Sequence, residues 1–200
     1  MRSVRQHMSD ISNQLSDAAW NGRLRDIESI LDSDEIMPPR AIGSALEAAA
    51  YNAQPEACDL LLKRGADPNT FHEPTGETVL HQVITKTQSA SDRTRIVKSL
   101  IAYGADVNRV TVPGVATECF MRDIRTRGET PLHRAAAYGD VEMVSALIEA
   151  GADKAAKDIN GDSPLTWGSW HLRPSEILGL LLYGDIPGWH GFPNPNRKEE

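Results

Sequence analysis

Two hundred residues, 40% of them hydrophobic and 24% charged, suffice for one stable core or one stack of repeats and leave no room for a second full domain. No apolar run approaches the roughly 18 residues of a membrane-spanning helix, which predicts a soluble chain with no membrane partner. The formal net charge of −7 argues against nucleic acid, whose binders present excess Lys and Arg to the phosphate backbone. The first residues, from Met1 to Met8, carry positive charge but lack the apolar stretch of a secretory leader, so cytoplasmic residence is the expectation. Cys58 and Cys119 are the two cysteines and sit in dissimilar contexts, which predicts no disulfide framework and fits a reducing compartment.

Along the chain, a Leu followed by small residues recurs five times. The copies begin at Leu15, Leu46, Leu80, Leu132 and Leu165, with spacings of 31, 34, 52 and 33. A second amphipathic segment follows each of these starts. Three of the second segments close in Gly65-Ala66-Asp67, Gly104-Ala105-Asp106 and Gly151-Ala152-Asp153. Each unit is therefore predicted as helix, turn, helix, loop, in an all-α chain. Residues 1–14 are read as a polar N-terminal extension, 15–187 as the repeat domain, and 188–200 as a tail too rich in Gly and Pro to continue a helix. Trp189 and Phe192 in that tail have two readings, docking back on the last repeat or engaging something else.

The fourth copy shows why these residues form these elements. Thr130 is placed to cap a helix N-terminus, and Pro131 fills the first helical position, where a missing N–H costs nothing. The helix stops at Gly139, Asp140 caps the next one, and Val141, Val144, Leu147 and Ile148 form its apolar stripe. Gly151 supplies the left-handed residue that ends it. Each helix is about ten residues, below the roughly 12 to 15 at which isolated helices become marginal, so stacking must supply the stability.

The run Gly128-Glu129-Thr130-Pro131-Leu132-His133-Arg134-Ala135-Ala136, then Gly139-Asp140-Val141, then Ala150-Gly151-Ala152-Asp153, resembles the ankyrin repeat. The resemblance covers residues 15 to 186 and implies a solenoid of about five helix-turn-helix units whose terminal copies are atypical caps. It also implies that His81 and His133 are structural, hydrogen-bonded between loops. The work it implies is binding of another protein.

The spacing of 52 exceeds the others, and the excess falls in two places. About five residues, within 87–93, lengthen the turn between the third copy's helices, and 14 enlarge the following loop, at about 109–127. In ankyrin-like stacks this loop is the finger beside the concave surface. Its aliphatic and aromatic residues, Phe120 and Met121 among them, lie among Arg122, Arg125 and Arg127. One reading has the insertion fold back and cover core with Phe120. Another makes it a partner-contacting loop with a basic rim, and disorder is the third.

The resemblance also implies that the two residues ending each first helix face the concave groove. These pairs are Trp20 and Asn21, Tyr51 and Asn52, Thr85 and Lys86, Ala137 and Tyr138, and Trp170 and His171. Trp and Tyr fill four of these ten places, and they dominate interface hot spots because they bury large rigid area and keep a polar handle. The candidate protein-binding residues are therefore Trp20, Tyr51, Tyr138, Trp170, His171, Phe120, Met121, Arg122, Arg125 and Arg127.

Catalytic patterns are missing from the sequence: no phosphate-cradling Gly loop, nucleophile elbow, His-Glu-x-x-His or Cys-x-x-Cys pair. In His72-Glu73-Pro74-Thr75-Gly76-Glu77, Pro74 and Gly76 break any helix that would present the acid and imidazole on one face. No cofactor, metal or enzymatic activity is expected. The expected role is that of a monomeric adaptor or regulatory binding protein, with a secreted or translocated effector as the alternative.

Overall fold

The computed structural model describes residues 4–33, 37–85, 88–117 and 127–183. Five helix pairs follow one another: α1 (Val4–Trp20) with α2 (Leu24–Leu31), α3 (Pro39–Tyr51) with α4 (Pro55–Lys63), α5 (Val79–Ile84) with α6 (Ala90–Ala102), α7 (Pro131–Tyr138) with α8 (Val141–Glu149), and α9 (Pro164–Trp170) with α10 (Ser175–Tyr183). The first helices pack against one another as an inner layer and the second helices as an outer layer. Between α4 and α5 a short antiparallel hairpin projects. It is formed by β1 (Phe71–His72) and β2 (Glu77–Thr78), with Phe71 opposite Thr78 and His72 opposite Glu77. This is the all-α solenoid that the repeat pattern predicts.

One large hydrophobic core runs along the stack, with a small second cluster of Ala137 and Trp167 beside it. Leu15, Leu46, Leu80 and Leu132 are fully buried, as are the small pairs Ala18-Ala19, Ala49-Ala50 and Ala135-Ala136 that let adjacent inner helices approach. The outer layer contributes Ile27, Leu61, Leu100, Leu147 and Ile177. Residues 4–14 form the first turns of α1, a helix of the inner layer, so helix reaches back well before Leu15.

Each recurring motif resolves a backbone problem. At the ends of α4, α6 and α8, Gly65, Gly104 and Gly151 take φ near +90°. Around Gly151, Gly151 N–H donates to Ile148 O at 2.9 Å and Ala152 N–H to Leu147 O at 2.9 Å, and the other two ends repeat this closure. The Asp and Asn that follow tie loops together. Asn69 donates to Gly104 O (3.0 Å) and accepts from Asp106 N–H (2.7 Å), and Asn108 does the same with Gly151 O (3.0 Å) and Asp153 N–H (2.8 Å).

The two motif histidines hold the start of α5 and α7. In each, Nδ1 accepts from the backbone N–H and hydroxyl of the capping Thr, Thr78 or Thr130. The opposite nitrogen, Nε2, donates to the next loop, at Glu129 O (3.3 Å) for His81 and Asp162 O (3.1 Å) for His133. An imidazole that accepts at one nitrogen and donates at the other is neutral. Burial pushes both pKa values down, that of His81 well below the ordinary value with help from the Arg134 charge.

Between the third and fourth repeats the core is polar. Arg134 is fully buried, with Nε donating to Glu129 (2.9 Å), Nη1 to His81 O (3.0 Å) and Nη2 placed 2.8 Å from Glu77. Thr111, at the base of the large insertion, donates its hydroxyl to the other Glu129 oxygen (2.9 Å) and accepts from the Glu129 N–H (3.1 Å). Thr111 N–H also donates to Glu129 O and Val112 N–H to Thr75 O, which fastens the insertion's base to both neighbours.

The smaller insertion differs from its reading as a lengthened turn. Residues 90–93 are an added first turn of α6. The cause is Arg93, whose guanidinium donates to Gln88 O (2.8 Å), Val83 O (3.2 Å) and Tyr51 O (3.1 Å). These carbonyls lie at and beyond the C-terminal ends of α5 and α3, where a cation is favoured. Arg173, before α10, likewise donates to Ala137 O and Gly139 O at the end of α7.

Two outcomes follow. Arg134→Ala leaves two buried carboxylates facing each other without their cation, and by urea denaturation it lowers stability by about 3 to 5 kcal/mol. Because both histidines have depressed folded pKa values, the unfolded chain binds more protons below about pH 6.5. Stability therefore falls as pH drops from about 6.5 toward the folded pKa values, by up to about 1.4 kcal/mol per pH unit for each histidine. His133→Gln flattens that slope by one histidine's share, read from urea midpoints between about pH 5 and 7.

Candidate protein-binding surface

The C-terminal ends of the inner helices carry the predicted aromatic column, and the helix packing gathers it into two groups. At the N-terminal end of the stack, Trp20 closes α1 and Tyr51 closes α3. Their rings stack with centroids 5.3 Å apart at 25°. Each stays about two-fifths exposed, at 41% and 42%. Asn52 donates to Trp20 O (2.8 Å), which fixes the spacing of the two helix ends.

The second group lies on the last two repeats. Tyr138 and His171 meet edge to face at 5.1 Å, while Trp170 remains 54% exposed. The Arg127 guanidinium lies 5.1 Å from the Trp170 ring centre and 5.9 Å from that of Trp167. Arg127, expected in the basic rim of the finger, has a side chain only 14% exposed and reaches Asp158 and Asp162 at 3.4 Å each. Its observed place is beneath Trp170 rather than at a free rim. The buried Trp167 indole also donates to Asp158 (3.1 Å). Desolvation pushes the Asp158 carboxyl up, but donors from Asp162, Trp167 and Asn160 outweigh it and hold the carboxyl below its usual range.

Between the groups the column is interrupted, because Thr85 and Ala137 are buried. Lys86, Phe120, Met121, Arg122 and Arg125 lie outside the described residues, as do Cys119, Trp189 and Phe192.

Two features escaped the sequence reading. Leu172 follows the aromatic pair of α9, is 90% exposed and adopts φ +50°. The same place seven residues after the leading Leu holds Gly22 in the first repeat and Ala53 in the second, also at positive φ. A bulky side chain there costs about 1 to 2 kcal/mol in backbone strain, and the exposed isobutyl group gains nothing in return from the fold. The register against Gly22 marks the position in the sequence; the exposure does not show there. The second feature is a groove of about 530 Å³ between α3 and the β1–β2 hairpin, lined by residues that include Arg40, Ser44, Glu47, Phe71, His72 and Glu73. Arg40, Ser44, Glu47 and Tyr51 recur at helical spacing, so one stripe of α3 joins the groove to the Trp20–Tyr51 pair. Burial raises the Glu47 carboxyl pKa, against the lowering pull of His72 and Arg40.

The surface offers ring faces, an apolar knob and a lined groove. Cys58 is buried and its thiol is pushed up by desolvation and by Asp59 and Glu56, which keeps it protonated and unreactive. Among the described residues no group of three or more His, Cys, Asp or Glu side chains is placed to hold a metal ion, and no helix is long and apolar enough to cross a membrane.

Comparison with known proteins agrees with this architecture. A family model described as ankyrin repeats (3 copies) matches residues 45–158 and 94–187. Rabankyrin-5 of Homo sapiens is 32% identical over 106 residues, 53% of this chain and 8% of that protein. The potassium channel AKT1 of Oryza sativa subsp. indica is 36% identical over 90 residues, 45% of this chain and 8% of the channel. The B-cell lymphoma 3 protein homolog of Mus musculus is 28% identical over 122 residues, 61% of this chain and 23% of that protein. The chain thus spans only a small part of the length of these relatives. With the matched segments covering more than half of its residues and the helix pairs stacked as described, the chain belongs to the ankyrin-repeat family.

Proposed function

We propose that the chain is a protein-binding module, an adaptor or regulatory partner that works as a monomer in the cytoplasm without catalysing a reaction. Its contact surface is the concave side formed by Trp20, Tyr51, Tyr138, Trp170 and His171, with the finger insertion, including Phe120, Met121, Arg122 and Arg125, as a second arm. The observation that supports this most is Trp170, a large ring held half exposed by the Arg127 beneath it, next to a leucine that the backbone carries at a cost. Side chains kept outside the core at a cost in stability belong to contacts with something else. Arg127 acts here as a positioning residue.

The test is capture from native lysate, read by mass spectrometry, followed by affinity measurement with the captured protein. Trp170→Ala loses about 30-fold in affinity, the magnitude of a hot-spot residue. Leu172→Gly weakens the same binding while its melting temperature stays level or rises, because glycine relieves the left-handed strain. Unchanged affinity in both variants, with wild-type circular dichroism, rejects the concave surface as the contact.

A further inference from the structure

From the groove beside α3 we infer that it receives an arginine or lysine side chain of the partner segment that docks on the concave face, with Glu47 as its counterion. The inference rests on the reading of that face as protein-binding and adds the chemistry of what it binds.

Three observations carry it. First, Glu47 is a half-buried carboxylate for which, among the described residues, there is no hydrogen bond or ion pair. The pull of Arg40 and His72 offsets its desolvation only in part, so a charge at this place costs the helix stability. Arg40 on the same stripe is exposed to solvent, so it has little to gain from a partner's acid, whereas half-buried Glu47 gains the compensation that Arg40 and His72 do not supply.

Second, the charge of the groove is negative. Its lining holds Asp67, Glu47 and Glu73 against Arg40 and the imidazole of His72. Asp67 is committed to the loop, accepting from Asn69 N–H at 2.9 Å, which leaves Glu47 and Glu73 to meet an incoming cation. At the rim, Phe71 already accepts the chain's own Arg109, whose guanidinium carbon lies 4.9 Å from the ring centre. A side chain with a cationic end therefore meets the Phe71 ring at the rim and carboxylate within the groove.

Third, the groove is continuous with the aromatic pair. Glu47 precedes Tyr51 by one helical turn, which places their β-carbons about 5 to 6 Å apart. A segment that packs on Trp20 and Tyr51 passes over Glu47 within a residue or two. The partner segment is thus one in which a basic residue lies beside the group that covers the aromatic pair.

A phage-displayed library of random linear peptides, selected on the purified 200-residue chain, supplies the probe. The selected pool is enriched in Arg and Lys over the input. The best binder loses about tenfold in affinity on Glu47→Gln, and about tenfold on wild type when its basic residue is replaced by citrulline. The two changes together cost no more than either alone, which marks a direct pair. Glu47→Gln melts at or above the wild-type temperature, where a residue needed for folding would lower it. A pool without basic enrichment, the absence of any selected peptide, or losses that add independently overturns the assignment. If Trp170→Ala leaves natural-partner affinity untouched while the Glu47 cycle holds, the broader aromatic surface fails and the groove stands. The opposite pattern removes the groove and leaves that surface in place.

Discussion

Every repeat in this stack satisfies backbone and side-chain hydrogen bonds with atoms that belong to the repeat beside it, and the rest of the structure depends on that exchange. The carboxamide of Asn69 reaches the loop of the third repeat, that of Asn108 the loop of the fourth, and each motif histidine donates to a carbonyl one repeat further on. Helices of six to nine residues cannot hold themselves in water. What fixes them is a neighbour at the correct height, since one polar side chain both donates to a loop carbonyl and accepts from a loop N–H. Burial of the leucine rows supplies the driving force, and the hydrogen bonds supply the register.

The junction of the third and fourth repeats departs from this regularity. A guanidinium and two carboxylates lie in what is elsewhere an apolar seam, and Thr111 brings the insertion into the same network. Two arginines extend the principle to the inner layer by closing the C-terminal carbonyls of helices in the preceding repeat. Arg93 does this without a carboxylate partner in the contacts described for it, and desolvation lowers its pKa accordingly. The result is a rigid inner layer whose helix ends are spoken for, so that the side chains at those ends are held in defined positions. The stacked pair of Trp20 and Tyr51 and the supported Trp170 are products of this rigidity.

Much of the fold was legible in the sequence because its signals are local. Thr130, Pro131, Gly139, Asp140 and Gly151 act within a turn of where they stand, and the leading leucines mark the period directly. The elongated first helix was less visible, since residues 4–14 lack a strong apolar stripe and are helical by continuation into α1. The added turn of α6 was missed for a different reason. Its anchor, Arg93, is recognisable only when the carbonyls of Tyr51 and Val83 are known to converge on it. In the candidate surface, the aromatic positions followed from register, but the burial of Thr85 and Ala137 and the pairing of Arg127 depend on neighbours remote in sequence. Leu172 and Glu47 were missed because an exposed leucine and a helical glutamate are ordinary in a sequence. Only the backbone angle of one and the desolvation of the other set them apart.

The direction of the asparagine ladder has a consequence for how the molecule is made. Asn69 and Asn108 each bond to the loop that follows them in the chain, and His81 and His133 also point forward. On a ribosome the N-terminal repeats emerge first and wait for those partners. A newly exposed repeat thus has its helices and its leucine but an unfinished loop, which is completed when the next repeat clears the exit tunnel. Structure then advances along the nascent chain one repeat behind synthesis. The enlarged loop between Asn108 and its partner at Gly151 makes the wait longest at the centre of the molecule.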